Sequence, residues 1–201
     1  TAGNVWRASQ NSVGKVILWD AESGEMVREL SQDRFFSIEF EPSGQYLFAG
    51  KDNGNTLMLR IEDGSLVRTF QGHRGSILDV SLHPSGEFLA TASRDGSCKI
   101  WDVATGNQVF GVSGLVDVRS VDFSPSGKEF ALATFNGDVK VYGREGDSYR
   151  HFAAHEQQNV LRQIRYSPDG QYLAISVLGQ GVRLIHPYTG KPVREFSGHN
   201  G

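Results

Sequence analysis

Apolar and polar positions alternate along this chain in short bursts that soon break off. "SILDVSLHP" (76–84), "GEFLATAS" (86–93), "SCKIWD" (97–102) and "QVFGV" (108–112) are typical, rich in β-branched and aromatic side chains. Glycine, proline or aspartate closes each run, and these are the residues of tight turns. A period of two, interrupted this often, predicts short antiparallel strands. No stretch carries the three- and four-residue apolar spacing of a convincing amphipathic helix.

The bursts repeat. A turn motif recurs as "EPSG" (41–44), "HPSG" (83–86), "SPSG" (124–127) and "SPDG" (167–170), its glycines 42, 41 and 43 residues apart. A second series, "VILWD", "LMLRI", "CKIWD", "VKVYG" and "VRLIH", places Trp19, Leu59, Trp101, Tyr142 and Ile185 at spacings of 40, 42, 41 and 43. Two registers sharing one period predict a repeat architecture, and four short strands per unit of about 40 residues is the pattern of a β-propeller blade.

These motifs resemble the WD-repeat family over almost the whole chain, from about residue 12 to 201. The unit from His73 to Asp102 carries the family's Gly-His, its turn aspartate and its Trp-Asp. The resemblance implies an all-β propeller of four-stranded antiparallel blades. Complete blades are expected near 36–70, 77–112, 118–152 and 161–196, with a partial blade at 1–30. "SGHNG" (197–201) reads as the lead-in to another blade. A ring of about seven blades is therefore expected to be completed by missing chain or by a partner, with oligomeric completion as the alternative.

The resemblance also assigns His73, Ser93 (or Thr91, two residues away on the same face), Asp95 and Trp101 to a buried hydrogen-bond chain. In the other units the aspartate slot holds Asn53, Asn136 and Gly179, and the histidine slot holds Ser31, Gly114 and a shifted His155. Serine, histidine and aspartate would also suit a hydrolase. A catalytic triad, however, needs an exposed nucleophile beside oxyanion donors, and no Gly-x-Ser-x-Gly elbow is present. The expectation is a structural role and no enzyme.

Composition narrows the partners. The chain has 201 residues, 38% hydrophobic and 21% charged, long enough to bury a core as one domain. Its net charge of −3 argues against a whole-domain footprint for nucleic acid or anionic membrane. The lone Cys98 forms no internal disulfide, which favours a reducing, intracellular compartment. No apolar run reaches the roughly 18 residues of a membrane helix. His151 and His155 are four apart, but in strands and loops that spacing does not make a metal site, and neither metal nor cofactor is expected.

In the family, partners meet one end of the propeller, at positions flanking the start of each innermost strand and preceding the aspartate slot. Carried over, the first class is Arg34 and Phe36, Ser76 and Leu78, Asp117 and Arg119, Val160 and Arg162. The second is Asp52, Arg94, Phe135 and Leu178. The set is rich in arginine and aromatic residues, which dominate interface energetics. It implies a protein-interaction scaffold, with acidic or phosphorylated peptides as candidate ligands of Arg94, Arg119 and Arg162. A nucleic-acid-associated propeller of a nuclear complex is the alternative.

Overall fold

The computed structural model describes residues 6–10, 16–31, 34–145, 149–153 and 160–197. His155, His199 and most of the 197–201 lead-in lie outside them. Every regular element among the described residues is a strand. Strands β1 (Trp6–Gln10), β2 (Val16–Asp20) and β3 (Met26–Ser31) form a three-stranded sheet. The second sheet contains β4 (Phe35–Phe40), β5 (Tyr46–Lys51), β6 (Thr56–Arg60) and β7 (Leu66–Phe70). The third contains β8 (Ile77–Leu82), β9 (Phe88–Ser93), β10 (Cys98–Asp102) and β11 (Gln108–Val112). The fourth contains β12 (Val118–Phe123), β13 (Glu129–Thr134), β14 (Asp138–Gly143) and β15 (Tyr149–Ala153). The fifth contains β16 (Leu161–Tyr166), β17 (Leu173–Val177), β18 (Gly181–Ile185) and β19 (Pro192–Phe196). Each sheet is an antiparallel meander, the form of a propeller blade.

The repeated turn glycines set the hairpin between the first two strands of each four-stranded sheet. Gly44, Gly86, Gly127 and Gly170 have φ of +72°, +77°, +70° and +71°, a conformation that favours glycine. Each donates its N–H to the residue three positions back, as Gly86 does to the His83 carbonyl at 2.8 Å. The proline after that acceptor supplies the fixed φ that starts the turn.

The core lies between sheets. Four apolar clusters fill the four seams joining consecutive sheets. In the seam between the second and third sheets, Phe48, Met58 and Phe70 meet Ile77, Val80, Leu89 and Trp101. Phe70 meets Trp101 edge-on, ring centroids 6.0 Å apart. The residue in the tryptophan slot is thus a seam residue, which is why the slot stays apolar or aromatic.

The first strands also pack in succession, β4 on β8, β8 on β12 and β12 on β16. Each has one edge with no strand beside it, a row of N–H groups that needs acceptors. Polar side chains of the preceding sheet supply them. Val80 N–H donates to Ser37 Oγ at 3.2 Å, Val121 N–H to Asp79 Oδ2 at 3.2 Å, and Ile164 N–H to Ser120 Oγ at 3.2 Å. One pleat further on, Phe123 N–H donates to Ser81 Oγ and Tyr166 N–H to Asp122 Oδ2. Polar struts therefore tie the inner strands where apolar packing ties the seams.

Candidate interaction site

The residues suspected of chemistry come from the seam between the second and third sheets. His73, on the loop entering β8, is buried, its side chain 1% exposed. Its Nδ1 lies 3.0 Å from Asp95 Oδ2 and its Nε2 2.7 Å from Thr91 Oγ1. Trp101 Nε1–H donates to the same Thr91 oxygen at 2.8 Å. Burial lowers the His73 pKa against the opposing pull of Asp95, so the ring is neutral. The proton directions follow. Trp101 N–H donates to Thr91, the Thr91 hydroxyl donates to His73 Nε2, and His73 Nδ1–H donates to Asp95.

Asp95 is more heavily bonded than the sequence suggests. It accepts from the Arg74 N–H at 2.8 Å, from Ser97 Oγ at 2.6 Å and from Ser97 N–H at 2.9 Å. Burial raises its pKa, but the bonds from Ser97, Arg74 and His73 outweigh this and leave it lowered and ionised. Of the two expected hydroxyls, Thr91 and not Ser93 bridges His73 to Trp101. Ser93, at the end of β9, donates to the Gly75 carbonyl at 3.0 Å and accepts from the Asp95 N–H at 3.1 Å. Both hydroxyls sit on one face of β9, but Thr91 lies opposite Lys99 on β10, two residues from Trp101, while Ser93 reaches the turn. Ser93 is fully buried, so the serine and the histidine do not open to a substrate.

A second polar centre was not anticipated. Arg165 on β16 holds Asp79 on β8 with two contacts, Nη1 to Oδ2 at 2.8 Å and Nη2 to Oδ1 at 3.1 Å. Ser37 Oγ donates to Asp79 Oδ1 at 2.9 Å and Ser120 Oγ donates to Oδ2. Inner strands of four sheets thus share one carboxylate. Burial and the charges of Asp79 and Asp122 push Glu39 up to about 7, against the pull of Arg165. Burial likewise pushes Asp122 up to about 6. The available signal was the alternation of the inner strands, "SIEF", "DVSL", "SVDF" and "QIRY", whose polar positions form one row.

The positions carried over as partner-binding are gathered by backbone geometry. Phe36, Leu78, Arg119 and Arg162 are each the bulged residue of an inner strand, where the register shifts between Phe35 and Ser37, Ile77 and Asp79, Val118 and Ser120, and Leu161 and Gln163. A bulge re-aims its side chain. The second class is tied to the first by single backbone bonds. Asp52 N–H donates to Arg34 O, Arg94 to Ser76, Phe135 to Asp117 and Leu178 to Val160. All these residues lie at the end of the sheets opposite the Pro-Ser-Gly turns, because β4, β8, β12 and β16 start there.

Their availability differs. Arg34, Arg94 and Arg162 are exposed. Arg34 also stacks on Phe36, 5.3 Å from its ring centroid. Phe36, Phe135 and Leu178 are 37%, 41% and 53% exposed, and Leu78 is half-buried. Arg119 is a correction to the expected set of free cations. Its guanidinium pairs with Asp117 at 2.8 Å and lies 4.8 Å from the Phe135 centroid, with only 17% of the side chain exposed. Asp117 has a φ of +30°, a strained value for a residue with a Cβ. Arg119 is therefore a support beneath Phe135 rather than a free ligand for an anion.

Comparison with known proteins gives this geometry its class. The model of the WD domain, G-beta repeat, matches residues 64–102. The model of the Anaphase-promoting complex subunit 4 WD40 domain matches residues 131–201. Periodic tryptophan protein 2 homolog of Schizosaccharomyces pombe is 28% identical over 193 residues, 83% of this chain and 22% of its own length. Pre-mRNA-processing factor 19 homolog 2 of Arabidopsis thaliana is 25% identical over 191 residues, 90% of this chain and 36% of its own. A component of Chromatin assembly factor 1 from Gallus gallus is 24% identical over 217 residues, 86% of this chain and 37% of its own. The chain spans between 22% and 37% of the length of these relatives. With blades, seams and repeats in register, the chain belongs to the WD-repeat family of β-propellers.

Proposed function

We propose that the chain is a non-enzymatic interaction scaffold, part of an intracellular complex, whose arginine-bearing end binds an acidic or phosphorylated peptide of a partner protein. One observation carries the reading. Arg94 and Arg162 are exposed, and their guanidinium groups have no hydrogen-bond or ion-pair partner among the described residues. They share an end with the exposed apolar side chains of Phe36, Phe135 and Leu178. Free guanidinium groups suit phosphate and carboxylate, which they grip with two parallel bonds. Apolar anchors beside them supply the burial that holds a peptide.

The test is charge reversal. Fluorescence anisotropy with a labelled acidic peptide carrying phosphoserine should show at least a tenfold loss of affinity in Arg94→Glu/Arg162→Glu. Unchanged affinity in a folded double variant would reject the site. A second reading, a nucleic-acid-associated member of a nuclear complex, is favoured by the words "Pre-mRNA-processing" and "Chromatin assembly" in the names of two relatives. In that case the same arginines would bind labelled RNA or DNA with an affinity that falls steeply as salt rises.

A further inference from the structure

The end of the molecule opposite those arginines has its own character. The turns 20–25, 41–45, 61–65, 83–87 and 102–107 lie at that end of the first three sheets. They hold Asp20, Glu22, Glu25, Glu41, Glu62, Asp63, Glu87 and Asp102, eight carboxylates, against one cation, Arg60, which closes the 61–65 turn as Asp20 and Asp102 close theirs and lies 4.0 Å from Asp63. On balance these turns are acidic.

Where the second and third sheets meet at this end, a groove of 470 Å³ opens. Its apolar walls are Met58, Val67, Phe88 and Val103, with Val67 39% exposed. Glu41, Glu87 and Asp102 stand at its rim. Each is held by its own turn through one carboxylate oxygen. Ser43 donates to Glu41 Oε2, Ser85 Oγ to Glu87 Oε2 at 3.0 Å, and Thr105 N–H to Asp102 Oδ1 at 2.7 Å. The second oxygen of Glu41 and of Glu87 has no hydrogen-bond donor among the described residues, while Asp102 also takes a bond from the Ala104 backbone and feels the Arg68 charge. Arg68 also lines the groove, but its guanidinium is spent on the carbonyls of Thr105 at 2.9 Å and Ala104 at 2.7 Å. It leaves three carboxylates facing one cation.

We propose that this groove docks a basic segment of a partner protein, a short peptide with lysine or arginine beside aliphatic residues. The stems and aliphatic side chains would lie along Val67, Phe88 and Val103, and the cationic heads would meet the free carboxylate oxygens. Long basic side chains combine an apolar stem with a charged tip, which fits an apolar channel with an acidic rim. Because the turn hydroxyls already fix the carboxylates, little ordering is lost on binding. The proposal concerns the opposite end from the arginines, and the two readings stand or fall separately.

The test uses a fluorescein-labelled Arg-Leu-Arg-Leu-Arg peptide and its Glu-Leu-Glu-Leu-Glu counterpart in low salt. The basic peptide should bind saturably and the acidic one should not. Glu41→Gln/Glu87→Gln should weaken binding at least tenfold, and Val67→Ser, at an exposed position, several-fold. Arg94→Glu should not weaken it. An equal loss in Glu25→Gln/Glu62→Gln would mean diffuse attraction to the acidic end and overturn the groove. Absence of saturable binding, or full affinity in Glu41→Gln/Glu87→Gln, would also overturn it.

Discussion

Replacing Thr91 with valine keeps the shape of a β-branched side chain and deletes one hydroxyl. Among the described residues that hydroxyl is the only link between His73 Nε2, 2.7 Å away, and Trp101 Nε1–H, at 2.8 Å. Both groups are buried, His73 with 1% of its side chain exposed and Trp101 at 3%. Leaving a buried polar group unpaired costs about 1–3 kcal/mol. Two orphans therefore predict a loss of about 2–6 kcal/mol. A tautomer flip does not rescue the histidine, because Nδ1–H is committed to Asp95 at 3.0 Å. At about 2–4 °C per kcal/mol for a chain of this size, the melting temperature should fall by about 4–24 °C. Differential scanning fluorimetry measures the shift, and urea unfolding by circular dichroism gives the free energy. Thr91→Ser, which keeps the hydroxyl, should recover most of the loss. Ser93→Ala gives up one bond to the Gly75 carbonyl and one from the Asp95 N–H, but both partners sit in half-open turns that water reaches, so the cost should be about 1 kcal/mol. A Thr91→Val protein melting within about 2 °C of wild type, or a Ser93→Ala protein less stable than Thr91→Val, would refute the assignment of the bridge.

Three further outcomes follow from the same geometry. Asp95→Ala should destabilise by about 2–3 kcal/mol, since Arg74 N–H, Ser97 and His73 lose their shared acceptor, while leaving acidic-peptide affinity at Arg94 and Arg162 unchanged in the folded fraction. Glu39 and Asp122, raised to about 7 and about 6, are protonated in the fold at pH values where the unfolded chain has lost those protons. Their contribution to stability therefore falls as pH rises from their ordinary values through the raised ones. Glu39→Gln should then be more stable than wild type at about pH 8, with the advantage vanishing near pH 5, as read by urea unfolding across pH. Arg165→Met should cost about 3 kcal/mol or more by stranding the buried Asp79 carboxylate, and Asp79→Asn in that background should recover part of the loss.

Much of this architecture was legible because its causes are local. A Pro-Ser-Gly turn needs only its own residues, and an apolar slot returning every forty or so positions marks a seam without any knowledge of what lies across it. The His73, Asp95 and Trp101 chain was readable for the same reason, through motifs within thirty residues of one another. The hydroxyl between them was not, because Thr91 and Ser93 share a strand face and only the register against β10 separates them. That the positions carried over as partner-binding lie together at one end was readable, but their states were not. The bulges at Phe36, Leu78, Arg119 and Arg162 were hidden. So was the pairing that removes Arg119 from the free cations. Asp79 and Arg165 are 86 residues apart, and nothing in either neighbourhood names the other. The acidic rim of the groove was masked differently: the net charge of −3 averages it with the rest of the chain.

The central claim is that serine, threonine, histidine and aspartate in the best-formed blade are mortar between sheets rather than chemistry. Its most direct test is the protonation state of His73, followed by nitrogen-15 and carbon-13 NMR of the labelled side chain as pH is lowered. The account predicts a neutral ring, protonated on Nδ1, that persists below the ordinary histidine value of about 6.5, together with a slowly exchanging Trp101 indole proton. A His73 that titrates freely near that value, beside an indole proton exchanging as in an open chain, would contradict it.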